Sequence, residues 1–171
     1  MDFFQIVEDR RSMRKYADTP VEAQKLQKIL EAINRAPSAG NLQAYEVYVV
    51  RKPEERRELV KASGEQEFLA EAPLVLIFCA EPDRAAERYK KRGTQLYCIQ
   101  DATIACTFAM LAAKAQGLDT VWVGAFDEAA VSEIVHIPLG QRPIAMLPIG
   151  YAGKTPSVRP RRELSDLIHE V

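Results

Sequence analysis

The chain is poor in the residues from which proteins build their own catalytic centres. Among 171 residues there are two histidines, three cysteines and one tryptophan. His136 and His169 stand in no metal-ligand spacing with a cysteine or a carboxylate, so no zinc or iron site is expected. No G-x-S-x-G elbow offers a serine nucleophile. A G-x-x-x-x-G-K-S/T phosphate loop is missing, as is a G-x-G-x-x-G turn behind a strand, which removes the P-loop and Rossmann readings. Cys79, Cys98 and Cys106 contain no C-x-x-C pair and are odd in number. They read as buried free thiols of a protein kept in a reducing, cytoplasmic compartment. The opening Met1-Asp2-Phe3-Phe4-Gln5 is no secretory core, and the apolar run from Ala72 to Ala80 is of strand length, so no membrane partner is expected. The formal net charge is −1, which speaks against a nucleic-acid partner. By elimination, any catalysis falls to a bound organic cofactor.

What is present is an ordinary globular composition, 47% hydrophobic and 27% charged, in a length suited to one domain, 1–171. Phe3 to Val7 read as a short first helix. Thr19-Pro20-Val21-Glu22 has the form of a capping box, with Ala23, Leu26, Ile29, Leu30 and Ile33 following at helical spacing. Tyr45 to Val50 reads as a strand, Pro53 to Ala62 as a helix, and Pro73 to Ala80 as a strand buried on both faces. A charged helix spans Asp83 to Lys91. A long alanine-rich one spans Thr94 to Gln116 and stops at Gly117. Thr120 to Gly124 reads as a strand, Asp127 as the cap of a helix to Val135, and Pro143 to Gly150 as a last strand that Pro148 assigns to an edge or bulge. The elements fit an α+β domain; periodicity alone leaves a doubly wound sheet open.

Two basic clusters break the near-neutral charge. Arg10-Arg11-Ser12-Met13-Arg14 offers three guanidiniums and a hydroxyl, and Arg159 and Arg161 follow in an unpatterned tail. Guanidinium forks match phosphate oxygens, at roughly 1.5–3 kcal/mol per charge-assisted hydrogen bond.

These residues also carry a resemblance. Arg10-Arg11-Ser12-Met13-Arg14-Lys15-Tyr16 resembles the R-R-S-x-R-x-F/Y opening of the FMN-dependent nitroreductase family. Ala36-Pro37-Ser38-Ala39-Gly40-Asn41-Leu42-Gln43 is similar to its A-P-S-x-x-N-x-Q loop. Gly124-Ala125-Phe126-Asp127, Pro148-Ile149-Gly150-Tyr151 and Arg159-Pro160-Arg161-Arg162 match later segments in family order. The resemblance implies a three-layer α/β/α sandwich around a central mixed sheet, in an intertwined homodimer. It implies that Arg10, Arg11 and Ser12, with Arg159 and Arg161, hold the phosphate and ribityl end of FMN, and that Arg14 lies near the edge of the ring where negative charge gathers on reduction. Pro37, Ser38, Ala39, Asn41 and Gln43 would approach the ring from the other subunit, Gly124 and Ala125 would present backbone to it, and Gln66 would add a polar contact. The implied activity is two-electron transfer from NAD(P)H to a nitroaromatic, quinone or flavin by alternating half-reactions. A specialised relative and a non-catalytic flavin sensor share the same binding residues. Ala44-Tyr45 stands where the family often has Pro-Trp, which keeps an aromatic plate but alters the pocket.

Overall fold

A computed structural model describes residues 2–156 and 158–171. The centre of the fold is the strand the sequence marks as buried on both faces. β2 (Leu74–Ala80) is flanked by β1 (Tyr45–Val50) on one side and by β4 (Arg142–Gly150) and then β3 (Asp119–Thr120) on the other. All of these strands pair antiparallel; the mixed character of the sheet rests on one parallel bridge, Ser12 to Thr120.

Alternation along β2 divides the core in two. Leu74, Leu76 and Phe78 point to one face, where they meet Leu26, Ile29 and Ile33 of α2 (Ala23–Asn34) and the small residues Ala102, Ala105, Ala109 and Ala113 of α6 (Cys98–Ala115). Val75, Ile77 and Cys79 point to the other, against Leu59 and Val60 of α3 (Pro53–Ala62), Phe68 and Leu69 of α4 (Phe68–Glu71) and Val131 of α7 (Glu128–Ile134). The result is the expected α/β/α sandwich, with every position of β2 buried. α1 (Phe3–Asp9) lies outside this core with no buried residue.

Several boundaries differ from the sequence reading, each for a nameable reason. α2 begins at Ala23 rather than at the Thr19-Pro20 cap, because the Glu22 carboxylate accepts from the Tyr151 hydroxyl at 2.8 Å instead of turning back to cap. The expected strand from Thr120 to Gly124 ends after two residues and touches the sheet again only at the Val123–Met146 bridge. That gap accommodates Pro148, which lies in an interior strand and not at an edge. Met146 exchanges both hydrogen bonds with Val123, so Pro148, two residues on, turns its nitrogen to the same side, where β3 has left the ladder. The bulge of this pairing falls elsewhere, between Phe78 and Cys79. α4 stands between Ala62 and Pro73, where the sequence reading placed no element.

α5 (Pro82–Arg92) and the π-helical turn Gly93–Tyr97 lead into α6, forming a helical stretch of 34 residues long and apolar enough, by length and composition, to cross a membrane. It breaks at Lys90, at φ 50°, and its buried face packs on α2, β2 and β4 as a core helix does.

Candidate functional site

Both basic clusters are carried by one short stretch of pairing. Met13 donates its N–H to Thr120 O at 3.0 Å, and Ala17 donates to Tyr151 O at 3.0 Å. Gly153 donates to Lys15 O at 2.8 Å, and Tyr16 bridges Ala152. Residues 12–17 are therefore clamped between β3 and the segment following β4. Gly153 is required there, since a Cβ would fall 2.8 Å from the Tyr16 carbonyl carbon and oxygen. Met13 is buried between exposed Ser12 and Arg14, as alternation along an extended segment dictates, but Lys15 is exposed and Tyr16 buried, so the alternation breaks after Arg14. The Tyr16 hydroxyl lies 3.1 Å from Met13 O and 3.2 Å from Pro148 O, tying the segment to the sheet.

The consequence is a cavity of ≈ 310 Å³ lined by Arg10, Arg11, Ser12, Arg14, Arg159 and Arg161. Five guanidiniums from the two ends of the chain meet there, and among the described residues no carboxylate lines the space. Burial, then the charges of Arg161 and Arg11, hold the Arg10 guanidinium below its ordinary value. Arg11 is partly engaged: its Nη1 donates to Glu8 O and, at 2.9 Å, to Arg10 O at the end of α1. A phosphate monoester, with two charges and three free acceptor oxygens, meets this donor set.

The loop after α2 forms a second group. Ser38 Oγ accepts from Gln43 N–H at 2.9 Å, and the Gln43 amide donates to Asn34 O at 3.3 Å and to Asn34 Oδ1 at 3.2 Å. Gly40, Asn41 and Gln43 all take positive φ, at 57°, 58° and 49°. Pro37, Ser38 and Ala39, together with Tyr97, Gln100, Asp101, Thr103 and Ile104, line a cavity of ≈ 510 Å³. Asp101 was not singled out in the sequence, yet it is buried and its Oδ1 accepts from Ala39 N–H at 2.9 Å. The signal was available: Cys98, Asp101, Ala102 and Ala105 share one helical face, and that face is buried.

The third group also comes together. Gln66 Nε2 donates to Ser63 O at 2.9 Å and to Ala125 O at 3.1 Å, joining the 66 and 124–125 segments. Gly124 and Ala125 are exposed, and a Cβ on Gly124 would lie 3.0 Å from Trp122 Nε1. None of residues 37–43, 66 or 124–125 lines the arginine cavity, so one chain presents the phosphate-type cluster apart from the other two groups. At the surface, exposed Arg142 pairs with Glu128 through two contacts of 2.8 and 2.7 Å.

The thiols take no part in any of these groups. All three are buried and free. Burial pushes Cys79 up to about 12, and also raises Cys98 and Cys106.

Known proteins resemble this chain in sequence and fold over most of its length. The model of the nitroreductase family matches residues 7–66 and 60–151. An enzyme of Bacillus subtilis strain 168 named FMN reductase (NAD(P)H) is 31% identical over 175 residues, covering 95% of this chain and 70% of that one. The structure of Bacillus megaterium NfrA2 superposes with a TM-score of 0.92 at 28% identity, over 99% of this chain and 74% of its own. That of the NADPH:FMN oxidoreductase of Vibrio harveyi, complexed with NAD+, gives 0.90 at 26% identity, over 98% and 76%. With its motifs in order, its sandwich and its family-model match across residues 7–151, the chain belongs to the nitroreductase family.

Proposed function

We propose that the protein is an FMN-dependent oxidoreductase that takes two electrons from NAD(P)H and delivers them to a small organic acceptor of the nitroaromatic, quinone or flavin type. The observation that carries this reading is the cavity of five arginines and Ser12, which gathers cations from both ends of the chain and, among the described residues, no counter-charge. The relatives named FMN reductase and NADPH:FMN oxidoreductase support it. FMN, when bound, would supply the two-electron chemistry that links the nicotinamide to the acceptor.

The chain's own residues bind and orient. Arg10, Arg11, Ser12, Arg159 and Arg161 would grip the phosphate. Arg14 would stabilise the negative charge gathered on the ring edge by reduction, in a site where a fixed cation needs no reorganisation. Gly124 and Ala125, exposed and tied to Gln66, would let backbone approach the ring. Pro37, Ser38, Ala39, Asn41 and Gln43 stand outside the arginine cavity, which favours a homodimer in which they serve the partner's flavin. The exposed Phe3, Phe4, Val7, Leu164 and Ile168 on α1 and the tail supply apolar surface for that pairing. The three buried thiols suit a reducing compartment.

The decisive experiment starts with the absorption spectrum of the purified protein and comparison of the released cofactor with FMN and FAD. NADH or NADPH consumption is then followed with menadione. A yellow protein carrying FMN and turning over is expected. Joint Arg10→Ala and Arg161→Ala substitution should leave the protein folded and lower FMN affinity by about two orders of magnitude, from the loss of charge-assisted contacts. Undiminished flavin content in that double variant overturns the phosphate assignment.

A further inference from the structure

The loop 37–44 is costly to hold. Asn41 and Gln43 carry side chains at positive φ, a region that L-residues rarely adopt and that asparagine tolerates better than glutamine. Gly40, between them and Ser38, is confined as well: a Cβ there would fall 2.6 Å from the Tyr89 hydroxyl and 2.8 Å from Arg88 Nη1. Strain of this kind persists only where the surroundings over-determine the conformation. The ordering contact comes from α6, where the buried Asp101 accepts the Ala39 N–H at 2.9 Å and its second oxygen, Oδ2, is buried with no hydrogen-bond partner. Burial raises the Asp101 carboxyl above its ordinary value, while the N–H of Ala39 and, more weakly, that of Ala44 pull the other way. A carboxylate is an expensive means of packing an alanine-lined helix face, and an apolar residue would serve the core better.

We infer that Asp101 is a positioning residue: through its hydrogen bond to Ala39 it fixes the loop that presents Ser38, Asn41 and Gln43 to the flavin ring. The inference rests on the flavin reading above and concerns the ring side of the site, distinct from the arginine cavity. A loop released from Asp101 loses its hold on the isoalloxazine while the phosphate contacts survive. Removal of Asp101 therefore weakens FMN and riboflavin alike, whereas removal of an arginine weakens FMN alone.

The test titrates FMN and riboflavin into flavin-free wild-type protein, Asp101→Ala, Asp101→Asn and Arg161→Ala. Visible circular dichroism of the bound flavin and the urea midpoint are followed alongside. Asp101→Ala should lose about tenfold or more in affinity for both flavins, the size expected of one hydrogen bond to a charged group, with an altered flavin dichroism. Asp101→Asn keeps an acceptor for Ala39 and should recover to within about threefold of wild type. Arg161→Ala should spare riboflavin. Wild-type riboflavin binding in Asp101→Ala, or an Asn variant as weak as the Ala variant, overturns the inference and leaves the flavin reading standing. Wild-type protein that binds neither flavin overturns both. If Asp101→Ala does not fold, Asp101→Ser, whose hydroxyl stops short of Ala39, is measured in its place with the same outcomes.

Discussion

Tyr16 shows how one side chain can organise a site without entering it. Its ring fills the core beneath the cationic segment, and its hydroxyl lies between two carbonyls from opposite ends of the chain, Met13 and Pro148. Burial raises its ionisation well above the ordinary phenol range, so it stays a neutral donor at every working pH. Tyr16→Phe keeps the packing and deletes only the proton. It should cost about 1 kcal/mol in urea unfolding and weaken FMN by a few-fold while leaving riboflavin unchanged. A loss shared by the two flavins would assign Tyr16 to the ring side instead. At this scale the sequence was half legible. Arg10, Arg161 and Ser12 announce themselves by charge and spacing, and the structure brings them together. The burial of Asp101 could be read from its helical face, but its partner, 62 residues away in sequence, could not.

At the level of elements, local signals succeeded where the ends were free and failed where a distant contact outbid them. Asp127 reads as a cap and is one, accepting from Ala129 and Ala130 N–H at 2.9 and 3.0 Å. Thr19 has an equally good local signature and caps nothing, because Glu22 is drawn to Tyr151 and Lys25. The pair makes a matched experiment: Asp127→Ala should lower stability by about 1 kcal/mol, and Thr19→Ala by no more than a few tenths. Chemical denaturation of the two variants measures the difference, and equal losses would contradict the cap assignments. The buried strand β2 and the alanine-rich α6 were legible because each is apolar beyond what one solvated face allows. The truncated β3 was not, since what ends it is the route of the chain past Pro148 rather than any residue unsuited to a strand.

Over the whole molecule, charge that nearly cancels in total is strongly uneven in place. The net value of −1 coexists with five guanidiniums around ≈ 310 Å³. Flavin affinity should therefore depend on salt through the phosphate alone. Raising ionic strength from about 0.05 to 0.5 M, across which the screening length falls severalfold, should weaken FMN markedly and riboflavin little. Isothermal titration at two salt concentrations separates the cases, and parallel curves for the two ligands would place the phosphate outside the arginines. Alternation and helical spacing made the α+β set of elements readable, and the sandwich came from the family resemblance, since periodicity left a doubly wound sheet open. How the two chain ends meet was not readable, because pairing of residues 15–17 with 151–153 is a long-range fact with no local code.

That meeting has a consequence for truncation. A polypeptide cut back to residue 158 keeps every strand and α-helix of the sandwich but loses Arg159 and Arg161 from the cluster. On the flavin reading, the shortened form should stay folded and lose the pigment that the intact one retains.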